Sequence, residues 1–224
     1  MEPLSNYPPL IVIVGQTGSG KSALAMKLAQ AFEGEIIAAD SRTVYTGMDI
    51  GTAKPSVADQ ALVPHHLIDI VSPAESFNLA DFQRLAKEAI TDITARGRLP
   101  ILVGGTGLYV DSLLYNFGLR PAADPVRREA LQKMSVDELR HEVMRLGALM
   151  PANDRNPRHL IRAIESVHSP IPQQDPLRPN TLVIGLSIEK EELEHRLAQR
   201  IDTMLDAGLV DEVQRLTDEY GMDT

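Results

Sequence analysis

An eight-residue stretch near the start of the chain carries glycines, a lysine and a serine at the spacing of a phosphate-binding loop. It reads Gly15-Gln16-Thr17-Gly18-Ser19-Gly20-Lys21-Ser22 and fits the pattern G-x-x-x-x-G-K-[ST], known as the P-loop. Glycines let successive backbone N–H groups converge on phosphate oxygens, and a following helix adds the positive end of its dipole. We expect Lys21 to supply a mobile, solvent-facing charge and Ser22 to offer its hydroxyl to a phosphate-bound Mg²⁺ ion. A chance glycine-rich turn is the alternative, and the strand and helix predicted on either side argue against it.

A second polar segment, Asp40-Ser41-Arg42-Thr43, follows the next predicted strand. Ligands of open parallel sheets bind at the carboxyl ends of the strands, so we expect Asp40 to point into the same site as the P-loop. Its carboxylate could accept a proton there. Two alternatives stay open, because an aspartate in this position could also cap a helix or hold magnesium through water.

The elements that must position these residues alternate between buried aliphatic runs and helical patterns, which predicts an α/β fold. Strands are predicted at 10–14, 36–39, 67–70, 100–103 and 181–186, and helices at 22–32, 77–95, 109–115, 190–206 and 209–220. We predict a P-loop NTPase-like parallel sheet flanked by helices, formed by residues 1–118 and 181–224. The proline-punctuated stretch 119–180, with helical patterns at 125–134 and 136–149, predicts a helical insert.

Composition and charge exclude several functions. The 224-residue chain has no cysteine, which excludes disulfides, a thiolate zinc site and a cysteine nucleophile and favours a cytoplasmic location. There is no basic leader and no apolar run long enough to span a bilayer, so we expect no membrane association. The net charge of −9 argues against a nucleic-acid partner. However, residues 120–162 carry nine basic and six acidic side chains, against 13 and 25 elsewhere, a segregation compatible with RNA docking or with chance.

Several longer segments resemble one protein family. The run Gly47-Met48-Asp49-Ile50-Gly51-Thr52-Ala53-Lys54-Pro55 is too rich in glycine and threonine for an ordinary helix or strand, and is far more specific than a P-loop. With it come Pro64-His65-His66 and Gly104-Gly105-Thr106-Gly107-Leu108-Tyr109. Together with the P-loop and the Asp-Ser segment, these residues resemble the tRNA dimethylallyltransferase family, also called tRNA isopentenyltransferases.

The resemblance implies a reaction. A dimethylallyl group would pass from dimethylallyl diphosphate to N6 of the adenosine next to the anticodon, position 37 of tRNA, giving N6-isopentenyladenosine. Asp40 would accept the amine proton as the general base, and Thr106 would orient the amine, although Thr106 could equally, or in addition, cap a helix. The leaving diphosphate would be neutralised by the P-loop, with Mg²⁺ at Ser22. The implied phosphate-binding residues are Gly15, Gln16, Thr17, Gly18, Ser19, Gly20, Lys21 and Ser22.

The implied macromolecular partner is the anticodon arm of tRNA. Its target base is stacked and must be flipped out to react, while the helical insert would hold the arm. Arg158 and Arg162, at i and i+4, would lie on one side of a helix. For the other arginines of the insert a solvated face is favoured. The implied tRNA contacts are Asp40, Ser41, Arg42, Thr43, Thr106, Arg158, His159, Leu160, Ile161 and Arg162.

Four further expectations complete the sequence-based interpretation. Thr43 stands where the family usually has glutamine, and His65 and His66 are expected to form loop hydrogen bonds rather than to ligate a metal. The family ordinarily continues with a basic, aromatic helix beyond the position of Thr224, which predicts a C-terminally shortened member. We expect a monomer. ATP could also occupy the P-loop.

Two other functions share parts of this pattern. A P-loop small-molecule kinase would have the same loop, parallel sheet and aspartate at a strand end, but it would leave the 47–55 run unexplained. An inactive, shortened homologue that binds tRNA would share all the motifs. Product formation separates the second alternative from the enzyme, and stimulation of ATP hydrolysis by a small alcohol would favour the kinase.

Overall fold

The computed structural model describes residues 7–116, 118, 124–167 and 174–221. The chain forms two compact units, one of Met1–Asn116 with Asp175–Thr224 and the other of Phe117–Gln174. Residues 175–180, which the sequence assigned to the insert, belong to the first unit because the N–H groups of Asp175 and Arg178 donate to the carbonyls of Tyr115 (2.8 Å) and Leu114 (2.7 Å). Residues 119–123 and 168–173 of the predicted insert, which include Arg120, Pro121, Pro170 and Pro172, lie outside the described residues.

The first unit is built on a five-stranded sheet in which every pair is parallel, as predicted. The strand order is β3-β2-β4-β1-β5. The strands are β1 Leu10–Gly15, β2 Gly34–Ala38, β3 His65–His66, β4 Leu99–Val103 and β5 Thr181–Leu186. The central strand is therefore β4, and the interior strand β1 pairs on one side with β4 and on the other with the edge strand β5.

Helices connect the strands and form the second unit. They are α1 Lys21–Ala31, α2 Val57–Leu62, α3 Leu79–Ala95, α4 Gly107–Leu114, α5 Pro125–Gln132, α6 Val136–Arg145, α7 Pro157–Glu165, α8 Lys190–Asp206 and α9 Leu209–Tyr220. The sequence patterns missed the short helix α2. Its start is fixed by a capping box, in which Ser56 and Asp59 exchange side-chain and backbone hydrogen bonds.

The strand predicted at 67–70 is wrong. The extended residues of this region are His65 and His66, which pair with β2. Leu67 and Asp69 adopt positive φ angles of 63° and 54°, a conformation that ends a strand. The N–H of Asp69 instead donates to the carbonyl of Thr43 (3.2 Å), so this aliphatic segment supports the loop that follows β2.

Both faces of the sheet are covered, which explains why the strands read as continuous aliphatic runs. On one face, Val12, Ile37 and Leu102 pack against α3 and α4. On the other face, the alternate residues Ile13 and Ile36 pack against α1. This two-sided burial fixes the register of the strands and so the positions of the loops at their carboxyl ends.

The second unit has a core of its own. Helices α5, α6 and α7 bury six aliphatic side chains between them: Leu131, Leu139, Val143, Leu160, Ile161 and Ile164. Arg128 reaches across from α5 to Glu165 of α7 in a bidentate ion pair with distances of 2.7 and 2.6 Å. The side chain of Glu165 is almost fully buried, so this ion pair links α5 to α7 and is not an ordinary exposed surface pair.

A buried carboxylate stabilises the amino end of the sheet in the first unit. Glu35, on β2, has a side chain that is only 4% exposed, and it accepts hydrogen bonds from His66 Nε2 (2.6 Å) and Arg96 (2.7 Å). Arg98 lies 3.6 Å away. Burial alone would raise the pKa of Glu35, but the hydrogen bonds and charges of His66 and Arg96 outweigh burial and hold that pKa below its ordinary value.

We expect Glu35→Gln to lower the free energy of unfolding by about 1–3 kcal/mol at neutral pH, the effect of losing hydrogen bonds to a charged group. Because the folded pKa is depressed, this contribution is present above the ordinary carboxyl value of 4.5 and is lost as the pH falls through the lower folded value. Urea denaturation across acidic and neutral pH measures it. Glu88→Gln, which removes an exposed ion pair with Arg84, is the control. A stability difference that stays constant down to strongly acidic pH would contradict the assignment.

Candidate active site

The P-loop folds as a tight turn between β1 and α1, and its glycines are required by geometry. Gly18 and Gly20 adopt φ angles of 84° and 92°. A Cβ on Gly15 would lie 2.6 Å from the carbonyl oxygen of Leu186 on the neighbouring strand β5. Gly20 is also the N-cap of α1 and provides no side-chain cap, so the first N–H groups of the helix remain available to an anion.

Lys21, the first residue of α1, is buried, and the prediction of a solvent-facing charge is wrong. Its side chain folds back so that Nζ donates to the carbonyl of Gln16 at 2.6 Å. Burial lowers the pKa of Lys21, the negative charge of Asp40 opposes that shift, and the positive charge of Arg200 adds to it. The ammonium group is thus held inside the loop, near a carboxylate and a second cation.

Asp40 and Thr106 lie on two loops that contact each other at the carboxyl ends of β2 and β4. A Cβ on Gly104 would lie 2.0 Å from the carbonyl oxygen of Ala39, so only glycine allows this approach. The N–H of Ser41 then donates to Thr106 Oγ1 at 3.1 Å. The structure therefore brings the two predicted catalytic residues to neighbouring loops.

The alternatives for these two residues can now be examined. Thr106 occupies the N-cap position of α4, but its hydroxyl makes no capping hydrogen bond and is used by Ser41 instead. Asp40 caps no helix either. Its Oδ1 accepts the N–H of Arg42 at 2.8 Å, a local turn that fixes the carboxylate and leaves its other oxygen without a hydrogen bond from the described residues.

A cavity of about 310 Å³ lies between the P-loop and Asp40, and its lining has two kinds of residue. One part is polar and charged, formed by Thr17, Lys21, Ser22, Asp40 and Arg200. The other part is small and apolar, formed by Ala25, Ile36, Ala38, Ile68 and Val103. Such a cavity suits a small ligand with an anionic head and a short hydrocarbon tail.

Thr43 also lines this cavity, and its side chain is buried. Within the part of the chain that the structure describes, its Oγ1 has no hydrogen-bond partner, and the same is true of Ser19 Oγ in the P-loop. A buried hydroxyl without a partner is destabilising. Both hydroxyls are therefore available to a bound ligand or to water, whereas Ser41 and Arg42 are more exposed.

Arg200 of α8 is the functional candidate that the sequence patterns missed. It is half-buried, lines the cavity, and makes no ion pair within the described part of the chain. Leu193 and Leu197 precede it by seven and three positions on the same helical face, and a Cβ on Gly18 would lie 3.2 and 3.4 Å from their methyl groups. The sequence could have indicated Arg200 only through its spacing from the two leucines. That spacing does not point to the cavity until α8 is seen to pack on the P-loop.

The side chains of the two histidines form hydrogen bonds, as predicted, but both residues lie in strand β3 rather than in a loop. His65 Nδ1 contacts the carbonyl of Val63 at 2.7 Å, and burial lowers the pKa of His65. His66 binds Glu35. Among residues 7–116, 118, 124–167 and 174–221, no group of three or more His, Cys, Asp or Glu side chains is arranged to hold a metal. A metal at this site would depend on the Ser22 hydroxyl and on oxygens that a ligand brings with it.

The second unit presents the remaining predicted residues. Arg158, His159 and Arg162 of α7 are exposed and line an open hollow of about 930 Å³. Leu160 is fully buried and Ile161 nearly so, both within the helical core. Both side chains anchor the helix that carries the exposed residues, and Ile161 also lines the hollow. Contact of these two residues with tRNA stays a prediction.

Comparisons with known proteins agree with this site. The family model described as IPP transferase matches residues 43–224. A tRNA dimethylallyltransferase of Roseiflexus sp. is 48% identical over 222 residues, covering 93% of this chain and 72% of the relative. That of Bacillus subtilis is 40% identical over 227 residues, with coverages of 94% and 72%.

Solved structures agree as well. The full-length tRNA isopentenylpyrophosphate transferase of Bacillus halodurans superposes with a TM-score of 0.69 at 40% identity, covering 97% of this chain and 72% of its own. A eukaryotic dimethylallyltransferase acting on tRNA gives a TM-score of 0.77 at 28% identity, with coverages of 97% and 58%. Within the described residues, no helix is long and apolar enough to cross a membrane. With its P-loop, the paired loops after β2 and β4 and matches along nearly its whole length, the chain belongs to the tRNA dimethylallyltransferase (IPP transferase) family.

Proposed function

We propose that this chain transfers a dimethylallyl group from dimethylallyl diphosphate to N6 of adenosine 37 in tRNA. The observation that carries the proposal is the single cavity in which Lys21 and Arg200 lie near Asp40, next to small apolar walls. The positive charges of Lys21 and Arg200 repel each other, and an anionic leaving group in the same cavity would offset this repulsion. The apolar residues suit the branched five-carbon tail.

The chemistry follows from the charges. The bond between C1 of the allylic group and the diphosphate oxygen breaks, and negative charge develops on the departing diphosphate. The N–H groups at the start of α1, Lys21 and Arg200 stabilise that charge because they are already in place. A bond then forms between C1 and N6 of the adenosine, whose amino group must lose a proton.

Asp40 is the proposed acceptor of that proton. Its carboxylate lies in the same cavity as the cations, with one oxygen fixed by the N–H of Arg42. The hydroxyl of Thr106 is held beside this loop through Ser41 and would orient the amine. Gly104 and Gly105, which also line the cavity, allow the nucleobase to approach the backbone closely.

We propose Mg²⁺ as the accompanying ion, held by Ser22 together with diphosphate oxygens and water. The Ser22 hydroxyl lines the cavity beside Lys21, and Mg²⁺ commonly combines few protein ligands with substrate phosphates. When bound, the ion would add neutralising charge at the leaving group. We further propose that the enzyme is a cytoplasmic monomer. ATP could enter the P-loop only in competition with the donor.

The second unit is the proposed binding surface for the anticodon arm. Arg158 and Arg162 project from one face of α7 into an open hollow, with His159 beside them. Guanidinium groups bind phosphates and stack on unpaired bases. Incubation with dimethylallyl diphosphate, Mg²⁺ and an anticodon stem-loop, followed by nucleoside mass spectrometry, tests the whole proposal. A stem-loop with guanosine at position 37 is the control, and the absence of isopentenyladenosine would overturn it.

Replacing Lys21 with methionine, which keeps the volume of the side chain, should weaken diphosphate binding. The loss of one charge-assisted contact corresponds to about 1.5–3 kcal/mol, or roughly 10- to 100-fold in Kd. Because burial lowers the pKa of Lys21, wild-type affinity should also decline at a lower pH than the ordinary lysine value of 10.5. Calorimetric titration with diphosphate measures both effects. Lys27→Met, on the exposed face of α1, is the control, and equal affinities in the two variants would remove Lys21 from the site.

Replacing Asp40 with asparagine keeps the acceptor for the N–H of Arg42 but removes the base. Turnover should fall by about 10²- to 10⁴-fold, the usual effect of losing a general base, while diphosphate affinity changes little. Single-turnover prenylation of the stem-loop measures the step directly. If Asp40 instead holds magnesium, excess magnesium should restore activity. Near-normal turnover at saturating substrates would exclude the role of base.

Replacing both Arg158 and Arg162 with alanine should weaken binding of the anticodon stem-loop without changing diphosphate affinity. If each arginine contacts a phosphate, the slope of log K against log salt should become shallower by about 1.5 in total. The control removes the same charge with Lys133→Ala and Arg145→Ala, two exposed residues that pair with acids on their own helices. If the change in affinity and in salt slope is no larger than in the control, both arginines are ordinary solvated surface residues and do not bind the stem-loop.

A further inference from the structure

The segment Gly47–Lys54, termed here the 47–54 loop, forms part of the cavity wall through Thr52 and Ala53. No strand or helix supports it from within. Contacts from outside the loop must therefore fix its conformation, and with it the shape of the cavity wall. The contacts that do so come from α9, a helix with no buried residue.

Glu212, in the first turn of α9, binds three consecutive N–H groups of the loop. Its Oε2 accepts from Asp49 and Ile50, each at 2.8 Å, and its Oε1 accepts from Gly51 at 3.0 Å. Successive N–H groups that converge in this way form a small anion-binding concavity, and hydrogen bonds to a carboxylate are stronger than those between neutral groups. One side chain thus determines the conformation of three loop residues.

Arg215, one turn further along α9, binds the start of the same loop. Its guanidinium donates to the carbonyl of Gly47 at 2.7 Å. Gly47 has a φ of 73°, and a Cβ there would lie 3.3 Å from the guanidinium. A Cβ on Gly51 would lie 3.2 Å from Leu209. The loop and the helix therefore pack so closely that a side chain at either glycine would require Arg215 or Leu209 to shift by a few tenths of an ångström.

Hydrogen bonds within the loop connect the residues held by α9 to the residues that line the cavity. The N–H of Ala53 donates to the carbonyl of Ile50 at 2.9 Å, and that of Lys54 to the carbonyl of Asp49 at 3.0 Å. The Lys54 side chain is only 4% exposed, and its ammonium group binds the carboxylates of Asp49 and Asp69. A shift of residues 49–51 would consequently move Ala53 and its neighbour Thr52 in the cavity wall.

We propose that Glu212 and Arg215 are positioning residues for the prenyl donor, through which α9 sets the wall of the donor cavity. Neither side chain lines the cavity. Their effect is indirect and acts on the donor rather than on the RNA. The inference rests on the proposed function, since it takes the cavity to be the site of the allylic diphosphate.

The test compares Glu212→Gln with wild type and with Asp218→Asn, which neutralises an acid on the same helix. The Asp218 side chain accepts a hydrogen bond from Gln214 on α9 itself. Glutamine keeps the size of the side chain but turns an N–H₂ group toward the loop amides. We expect the Kd and KM for dimethylallyl diphosphate to rise roughly tenfold, the order of effect of a small misplacement in a site. Hydrogen exchange at Asp49, Ile50 and Gly51 should accelerate. The melting temperature should match that of the control, and stem-loop affinity should stay unchanged.

Two outcomes would overturn the proposal. One is faster exchange of the loop amides with unchanged donor Kd and KM, which would make the contact purely structural. The other is an equal loss of donor and stem-loop affinity. Should Glu212→Gln fail to fold, Arg215→Ala provides the test. It removes the hydrogen bond to the carbonyl of Gly47 together with an exposed ion pair to Glu219 on the same helix, and an unaltered donor affinity would overturn the proposal. A wild-type chain that binds diphosphate but forms no product would instead count against the proposed function.

Discussion

The approach of the loop after β2 to the loop after β4 is the constraint on which the site depends. At Gly104 the two backbones come so close that a single methyl group would overlap the carbonyl of Ala39. This approach lets the N–H of Ser41 reach Thr106 and so places Asp40 beside the glycine-rich loop. The sheet supplies the necessary precision, because β2 and β4 are adjacent and in parallel register from Gly34 to Ala38.

Charge is arranged around that contact to favour an anion. Lys21 is drawn inward by the carbonyl of Gln16, and Arg200 arrives from a helix that packs on the P-loop. Neither cation is neutralised by an ion pair within the described residues, although acidic side chains outnumber basic ones along the chain. Because the protein carries a net charge of −9, this local reversal of sign favours an anion at the place proposed for the diphosphate.

Local patterns predicted much of this arrangement. The aliphatic strands are buried on both faces, so their sequence signal is strong, and the P-loop and the Asp40 segment follow them directly. The errors arose where long-range contacts override local preference. The aliphatic run at 67–70 bonds to the Asp40 loop instead of joining the sheet, and Lys21 is buried by its own loop. Arg200 lies far from the other site residues in sequence, so no local pattern could place it in the cavity.

The pairing of β1 with β5 has a consequence for biosynthesis. Leu10 pairs with Thr181, so the interior strand β1 is made early and acquires its last neighbour only when β5 leaves the ribosome. At bacterial or eukaryotic elongation rates of about 5–20 residues per second, one edge of this aliphatic strand stays open for roughly ten seconds or longer. During that interval the helical unit, which has its own core, is translated and can fold. An exposed aliphatic edge of this kind is what chaperones bind, so the nascent chain is most vulnerable to aggregation before residue 186 is made.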